Sequence, residues 1–248
     1  VLLFIVGILV TFYKFRIFKI KQREKKKTDL MKKISKLEIK ALQAQMNPHF
    51  VFNALNSVQD LIMQKDIRGS TTYLGKFADL MRKTLDVSEL ELIPLNDEIE
   101  ILELYLDLEK LRFVDGFRFS IEADTENHDR ESLMIHSMLL QPYVENAIKH
   151  GLLHKDGLKI LGVKFYIEDQ KLICEIVDNG IGRKASLEIN KRRARFHRSF
   201  ATQANRKRID LINELSNHTI ELSISDIMHE GKIAGTKVEL RLPLVLED

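Results

Sequence analysis

The spacing of apolar residues changes several times along the chain, and each change predicts a different kind of element. Val1 to Phe12 is an almost unbroken apolar run. A membrane-spanning helix takes about 20 such residues, so residues 1–13 read as the last part of one. Further on, Leu30, Ile34, Leu37, Ala41 and Ala44 recur at alternating steps of four and three, with Lys, Ser and Glu between them. That seam suits a parallel two-stranded coiled coil, and equally an amphipathic helix laid on its own domain. After Pro48 the helical spacing continues through Val51, Leu55, Val58 and Ile62, until Gln64–Gly69 breaks it. A second helix is predicted from about Thr71 to Leu85, with Leu74, Phe77, Leu80 and Met81 on its apolar face. The two form a helical hairpin which, doubled in a homodimer, makes a four-helix bundle. A third helix begins near Asn96, with Asp97 and Glu98 in the first turn where the helix dipole favours acids, and runs to Arg112-Phe113. Glu109 and Arg112 in it read as a solvated ion pair. From about Gly116 the period falls to two: Phe117, Phe119 and Ile121 alternate with polar residues as in a strand.

Charge sharpens the reading of the first segment. The net charge is only +3, but eleven Lys/Arg lie between Lys14 and Lys36 against Glu24 and Asp29 alone, leaving the remainder net acidic. Basic residues directly after an apolar run place everything from about residue 14 in the cytoplasm, held to the inner (cytoplasmic) membrane by the N-terminal helix. The same charges suit anionic lipid headgroups. A signal peptide would have them before the apolar run. No groove-reading motif or interleaved aromatics accompany the run, so no direct nucleic-acid binding is expected. The single cysteine, Cys174, excludes an internal disulfide; inside an alternating apolar strand it reads as a buried structural thiol.

The candidate chemistry lies in separated strings. Gln43-Ala44-Gln45-Met46-Asn47-Pro48-His49-Phe50-Val51-Phe52-Asn53 sets one imidazole directly after a proline, which opens or kinks a helix. Leu140-Gln141-Pro142-Tyr143-Val144-Glu145-Asn146-Ala147-Ile148-Lys149-His150-Gly151 is predicted helical, with Asn146 and Lys149 on one face. An amide oxygen suits Mg²⁺, and Lys149 is then placed to meet phosphate charge. Ile176-Val177-Asp178-Asn179-Gly180-Ile181-Gly182 ends an apolar strand at a carboxylate, followed by two glycines that admit close backbone approach. Gly235-Thr236-Lys237-Val238 reads as a glycine turn feeding a last strand.

The histidine string resembles the phosphoacceptor box of LytS-like sensor histidine kinases, and Tyr105-Leu106-Asp107-Leu108-Glu109 through Arg112-Phe113 resembles the same family. The three later strings resemble the ATP-binding fold shared by histidine kinases, gyrase, Hsp90 and MutL. The resemblance implies that His49 accepts phosphate, and that Asn146 binds Mg²⁺. It further implies that Asp178 reads the adenine amino group, that Gly180 and Gly182 line the nucleotide, and that Thr236, following Gly235, sits near the adenine. It implies ATP and Mg²⁺ as cofactors and, as partner, a response regulator whose aspartate takes the phosphoryl group, often one with a LytTR-type DNA-binding domain. The expected fold is α + α/β: a helical dimerisation segment followed by an α/β sandwich with a mixed sheet. Its expected divisions are a membrane remnant (1–13), a basic coiled-coil linker (14–46), dimerisation and phosphoacceptor helices (47–115), and an ATP-binding domain (116–248).

Three departures from the family pattern matter. Ile135-His136-Ser137 stands where the branch has I-P-P, and reads as a change at a helix entry. The lid stretch Arg198–Asn205 lacks the usual glycine pair, so Ser199, Thr202 and Asn205 are the side-chain donors left for phosphate, beside the basic run Lys191-Arg192-Arg193-Arg195-Arg198. Phe50, not an acid, follows the histidine; a neutral imidazole remains a competent nucleophile near pH 7. Two other classes stay open: an ATP-binding signalling module without kinase activity, and a gyrase/Hsp90-type ATPase. Against the ATPase, Pro142 occupies the position of the water-activating carboxylate.

Overall fold

The computed structural model describes residues 14, 16–19, 21–22, 25, 48–113, 116–125, 128–193, 200–216 and 219–246. The membrane remnant at 1–13 and the seam from Leu30 to Ala44 lie outside these. Among the described residues no helix is long and apolar enough to cross a membrane.

Helix α1 spans Pro48–Met63. A three-residue turn with Lys65 at φ +60° leads to α2 (Ile67–Ser88). This helix starts earlier than the sequence predicts, because Asp66 caps it by accepting from Gly69 N at 2.8 Å. The cap stabilises a first turn that the glycine alone would weaken. The face that α1 buries is also rotated from the predicted one: Phe50 and Ala54 are buried while Leu55 and Ile62 are exposed. In α2, Tyr73, Leu80 and Val87 are buried and Leu74 is half exposed. Both helices carry apolar residues on two sides, and the spacing alone does not say which side packs within the chain.

A short strand, β1 (Leu92–Pro94), precedes α3 (Leu95–Lys110). Seven apolar side chains of α3, from Leu95 to Leu108, are at most 4% exposed, so the helix is walled in on nearly every side. β1 pairs antiparallel with β3 (Met134–His136). Ile135-His136-Ser137 is therefore strand and strand exit, not a helix entry. Ser137 Oγ donates to Val87 O at 2.8 Å, fastening the end of α2 to this strand pair.

The main sheet has five strands: β2 (Phe117–Asp124), β4 (Lys159–Glu168), β5 (Lys171–Asp178), β6 (Glu221–His229) and β7 (Lys232–Pro243). Their order is β2-β4-β5-β7-β6, with β2 and β4 parallel and the rest antiparallel, which makes the sheet mixed as expected. Alternate residues of the central strands (Leu161, Val163, Phe165; Leu172, Cys174, Ile176; Val238, Leu240, Leu242) form the buried face. The opposite face carries charge pairs such as Lys237–Glu239 at 2.9 Å and Arg241–Glu168 at 3.2 Å, each worth about 0–1 kcal/mol on an accessible surface. Over the buried face lie α3, then α4 (Gln141–Asn146) with a π-helical continuation Ala147–Leu152, then α5 (Gly182–Arg193); α6 (Phe200–Leu215) precedes β6. Gly235 lies inside β7 rather than in a turn. The turn before it is Glu230-Gly231, both at positive φ.

Candidate functional site

The site is built around Asp178, the last residue of β5. It is 4% exposed, and its register partner across the sheet is Thr236 of β7. Gly180 N donates to Asp178 Oδ1 at 2.7 Å. Burial is the largest influence on the carboxyl and lifts its pKa from 3.8 to about 6, against hydrogen bonds from Gly180 and Thr236 that lower it. A carboxylate with two fixed donors and remaining lone pairs, set at a strand end, is a competent acceptor for an amino group.

The glycines matter for a reason the sequence did not show. A Cβ on Gly180 would lie 2.5 Å from Gly151 Cα and 2.6 Å from Asp178 Oδ1. One on Gly151 would lie 2.8 Å from the same oxygen, and one on Gly235 would fall on the Asp178 carbonyl. Gly151 O also accepts from Ile181 N at 3.2 Å. Gly151 and Gly180 therefore let the end of the π-helical turn and the β5 exit close around one carboxylate, and Gly235 lets β7 pass against the backbone of the same residue. At Gly180 the missing side chain is replaced by the protein's own backbone. At Gly182, with φ +76°, it is replaced by Ile233. Both glycines thus serve internal packing at these positions, and Gly151, quoted in its string without a role, is as necessary as either.

Asn146 ends α4 and is half buried. Lys149 lies in the π-helical turn, where its Nζ donates to Glu145 Oε2 at 2.9 Å. No cluster of three or more His, Cys, Asp or Glu with metal-ligand geometry occurs among the described residues. His49 is the second residue of α1, and its side chain lies outside the described residues. Its neighbour Phe50 packs on Tyr105, ring centroids 5.2 Å apart, and on Phe77 at 6.0 Å. Ser199 lies outside the described residues. Thr202 falls within α6, its side chain outside the described residues, and Asn205 in the same helix is half buried.

Two carboxylates of α3 are buried where the sequence predicts exposure or only a helix-dipole role. Glu109 is not solvated: it is 1% exposed, and Arg112 Nη1 donates to its Oε1 at 2.8 Å. Burial raises its pKa, opposed by Arg112 and Lys149. Glu98, expected to serve only the helix dipole, is fully buried and accepts from Met138 N at 2.9 Å and Leu140 N at 3.0 Å. Arg208 of α6, flanked by buried Ile209 and Ile212, donates to Met138 O at 2.8 Å and to Ser137 O. The segment entering α4 is thereby clamped from both sides.

Residues 37–117 match the family model described as histidine kinase. The chain is 34% identical over 162 residues to "Sensor protein LytS" of Bacillus subtilis, covering 65% of this chain and 27% of that protein. It is 36% identical over 146 residues to "Sensor histidine kinase BtsS" of Escherichia coli K12, covering 59% and 25%. The chain thus spans about a quarter of the length of these curated relatives. The histidine kinase domain of the Erythrobacter litoralis EL346 blue-light activated kinase aligns with a TM-score of 0.46 at 11% identity, over 79% of this chain and 96% of that one.

Proposed function

Taking its kinship with LytS-like sensor histidine kinases as the premise, we propose that this chain is the kinase part of a two-component sensor. ATP binds at the Asp178 end of the sheet, and an imidazole nitrogen of His49 attacks its γ-phosphorus. The bond from that phosphorus to the β,γ-bridging oxygen breaks and ADP departs. The phosphoryl group then passes to an aspartate of a response regulator, of which a LytTR-type DNA-binding protein is one kind. The observation that carries the reading is the closure of Gly151, Gly180 and Thr236 around one buried carboxylate at the end of β5.

In this reading Asp178 accepts from the adenine amino group, and Gly180, Gly182 and Thr236 shape the adenine end. Asn146 holds Mg²⁺, which supplies charge neutralisation on the phosphates when bound. Lys149 leaves Glu145 to meet phosphate, and Ser199, Thr202 and the basic run before them cover it. Phosphoryl transfer asks mainly for in-line placement and neutralised charge, so no further base on His49 is required. The working unit is a homodimer: α1 and α2 leave Phe52, Leu55, Ile62 and Leu85 exposed, an apolar side suited to a second copy. The divisions at 1–13, 14–46, 47–115 and 116–248 are retained, with the first in the membrane and the rest cytoplasmic.

A second reading, a nucleotide-binding module without transfer, is favoured by the glycine-free lid stretch. Incubation with γ-labelled ATP and Mg²⁺ separates the readings. Label on the protein that is acid-labile and base-stable, and lost in both His49→Gln and Asn146→Ala, is the expected result. Nucleotide binding without label leaves only the module; phosphate release without label indicates an ATPase.

A further inference from the structure

The chain enters α4 through residues 137–140, whose peptide groups are held by two buried ions from distant helices. Arg208 of α6 donates to Met138 O at 2.8 Å and to Ser137 O. Glu98 of α3 accepts from Met138 N at 2.9 Å and from Leu140 N at 3.0 Å. Glu98 is 0% exposed and Arg208 6%. Between them Met138 takes φ +52°, a left-handed conformation that a residue with a side chain adopts only at a cost. The guanidinium is not needed to hold α6 in place. Ile209, Leu211 and Ile212 bury the apolar side of that helix, and Asn213 ties its end to Ile220 through hydrogen bonds of 2.9 and 2.7 Å. A hydrophobic side chain at 208 would suit that packing better than a guanidinium whose Nε has no partner among the described residues. What Arg208 adds is the direction of two carbonyls, and with it the strained conformation of Met138. Backbone strain that its surroundings hold in place clusters where a site must be pre-organised.

The strained segment leads directly to Asn146. Leu140 O accepts from Tyr143 N at 2.9 Å and from Val144 N at 3.2 Å, so the residue that Glu98 fixes also starts the first turn of α4. The π-helical continuation is fixed at its other end, where Gly151 O accepts from Ile181 N at 3.2 Å beside Asp178. Asn146 and Lys149 lie between these two fixings. On the far side of the clamp, α6 starts at Phe200, and Thr202 and Asn205 precede Arg208 in it.

We propose that Arg208 is a positioning residue for the phosphate half of the nucleotide site: by holding the Ser137 and Met138 carbonyls against α6, it sets α4, and Asn146 on it, in register with the stretch that precedes α6. The inference rests on the nucleotide reading above and deepens it. The adenine half is built on β5, β7 and Gly151 and does not depend on the clamp. Without Arg208, residues 137–140 relax toward an ordinary backbone conformation, and the helix bearing Asn146 is held chiefly from its Gly151 end.

The test uses the full chain carrying Arg208→Met, which keeps the stem and serves neither carbonyl, or Arg208→Lys, which keeps the charge on a single nitrogen. Affinities for adenosine and for the non-hydrolysable analogue AMP-PNP with Mg²⁺ are measured by calorimetry, and amide hydrogen exchange is followed without ligand. The ratio of AMP-PNP to adenosine affinity should fall by about tenfold or more in Arg208→Met, as for a lost charge-assisted hydrogen bond. It should fall by about threefold or more in Arg208→Lys, which decides the matter if the methionine variant does not fold. Adenosine itself should bind within about threefold of wild type, as sites without a shared partner behave. In the free protein, exchange over residues 137–146 should rise by about tenfold in Arg208→Met and by less in Arg208→Lys, while residues 209–216 stay near wild type. A wild-type affinity ratio in either folded variant overturns the inference. So does adenosine affinity that falls in step with AMP-PNP, or exchange in Arg208→Lys that rises as much over 209–216 as over 137–146, since Arg208 would then serve stability alone. Wild type that binds neither ligand sinks the nucleotide reading itself, a different result and one visible before any variant is made.

Discussion

Replacing Glu98 by glutamine tests the electrostatics of the core with little change of shape. The carboxylate is fully buried, and each of its oxygens accepts one backbone N–H, from Met138 and Leu140. Burial raises its pKa from 4.5 to about 6, and the Leu140 and Met138 donors and Arg208 only partly offset this. A folded-state value above the unfolded one means that the folded protein binds the proton more tightly. Protonating Glu98 therefore adds stability that is fully present below about pH 4.5 and is lost as pH rises through about 6. The gap corresponds to about 2 kcal/mol.

Glu98→Gln has no proton to gain at this position, so its stability lacks that dependence. Asp178, also raised to about 6, and the surface carboxylates titrate in both proteins and cancel from the difference. Near neutral pH the variant is relieved of a buried charge worth about 2 kcal/mol. It also turns its amide N–H₂ toward a backbone donor, a loss of about 1–3 kcal/mol, so the two proteins should lie close together. Urea unfolding followed by far-ultraviolet circular dichroism, from pH 7.5 to 4.5, should show wild type gaining about 2 kcal/mol on the variant as pH falls. A difference that stays flat, or that shrinks on acidification, refutes the account of this carboxylate.

Two further outcomes follow from the packing. Gly180→Ala should lose about 1–3 kcal/mol in the same urea assay, because its Cβ meets the Gly151 backbone and Asp178 rather than a flexible side chain, and its affinity for a fluorescent ATP analogue should fall with it; unchanged stability would show that the β5 exit has room to spare. The Cys174 thiol is fully buried, and burial lifts its pKa well above the ordinary value, so a disulfide reagent should leave it intact in the native protein and modify it completely in urea. Immediate reaction in the native state would contradict the buried face described for β5.

What the sequence disclosed and what it withheld divide along physical lines. Helix α3 and strand β2 were legible because their spacing is regular and their apolar residues face one continuous core. The Asp178 string was legible as a strand ending in glycines. The reason for those glycines was not, since Gly151 meets Gly180 across twenty-nine residues of chain. Glu98 was hidden by a sufficient local explanation: an acid in the first turn of a helix needs no buried partner, and its actual donors lie forty and forty-two positions later. Glu109 was hidden likewise, since an i, i+3 pair reads the same whether it is wet or walled in. β1 and β3 are three residues each, too short for alternation to register, and so Ile135-His136-Ser137 read as a helix entry. The choice of face on α1 depends on partners in α2 and α3 that periodicity does not name.

Under the transfer proposed above, in which the His49 imidazole must reach the nucleotide, these packing differences decide which part of the molecule moves. A hinge at Arg112–Gly116, in line with the sequence divisions, would have to lift α3 away from the rest. Seven of its apolar side chains are fully buried, a loss on the order of 10–20 kcal/mol as an upper bound. The same motion would strand the Glu98 carboxylate and separate β1 from β3. The end of α2 is fixed as well, through Val87 O and Ser137 Oγ. By contrast α1 is held mainly by Phe50 and Ala54, with Val58 and Leu61 partly buried, on the order of 5 kcal/mol on the same scale. It also leaves α2 through a turn in which Lys65 already takes a left-handed conformation. The cheapest rearrangement is therefore a swing of α1 about residues 64–66, with Phe50 leaving Tyr105, while α2, α3 and the sheet remain one body.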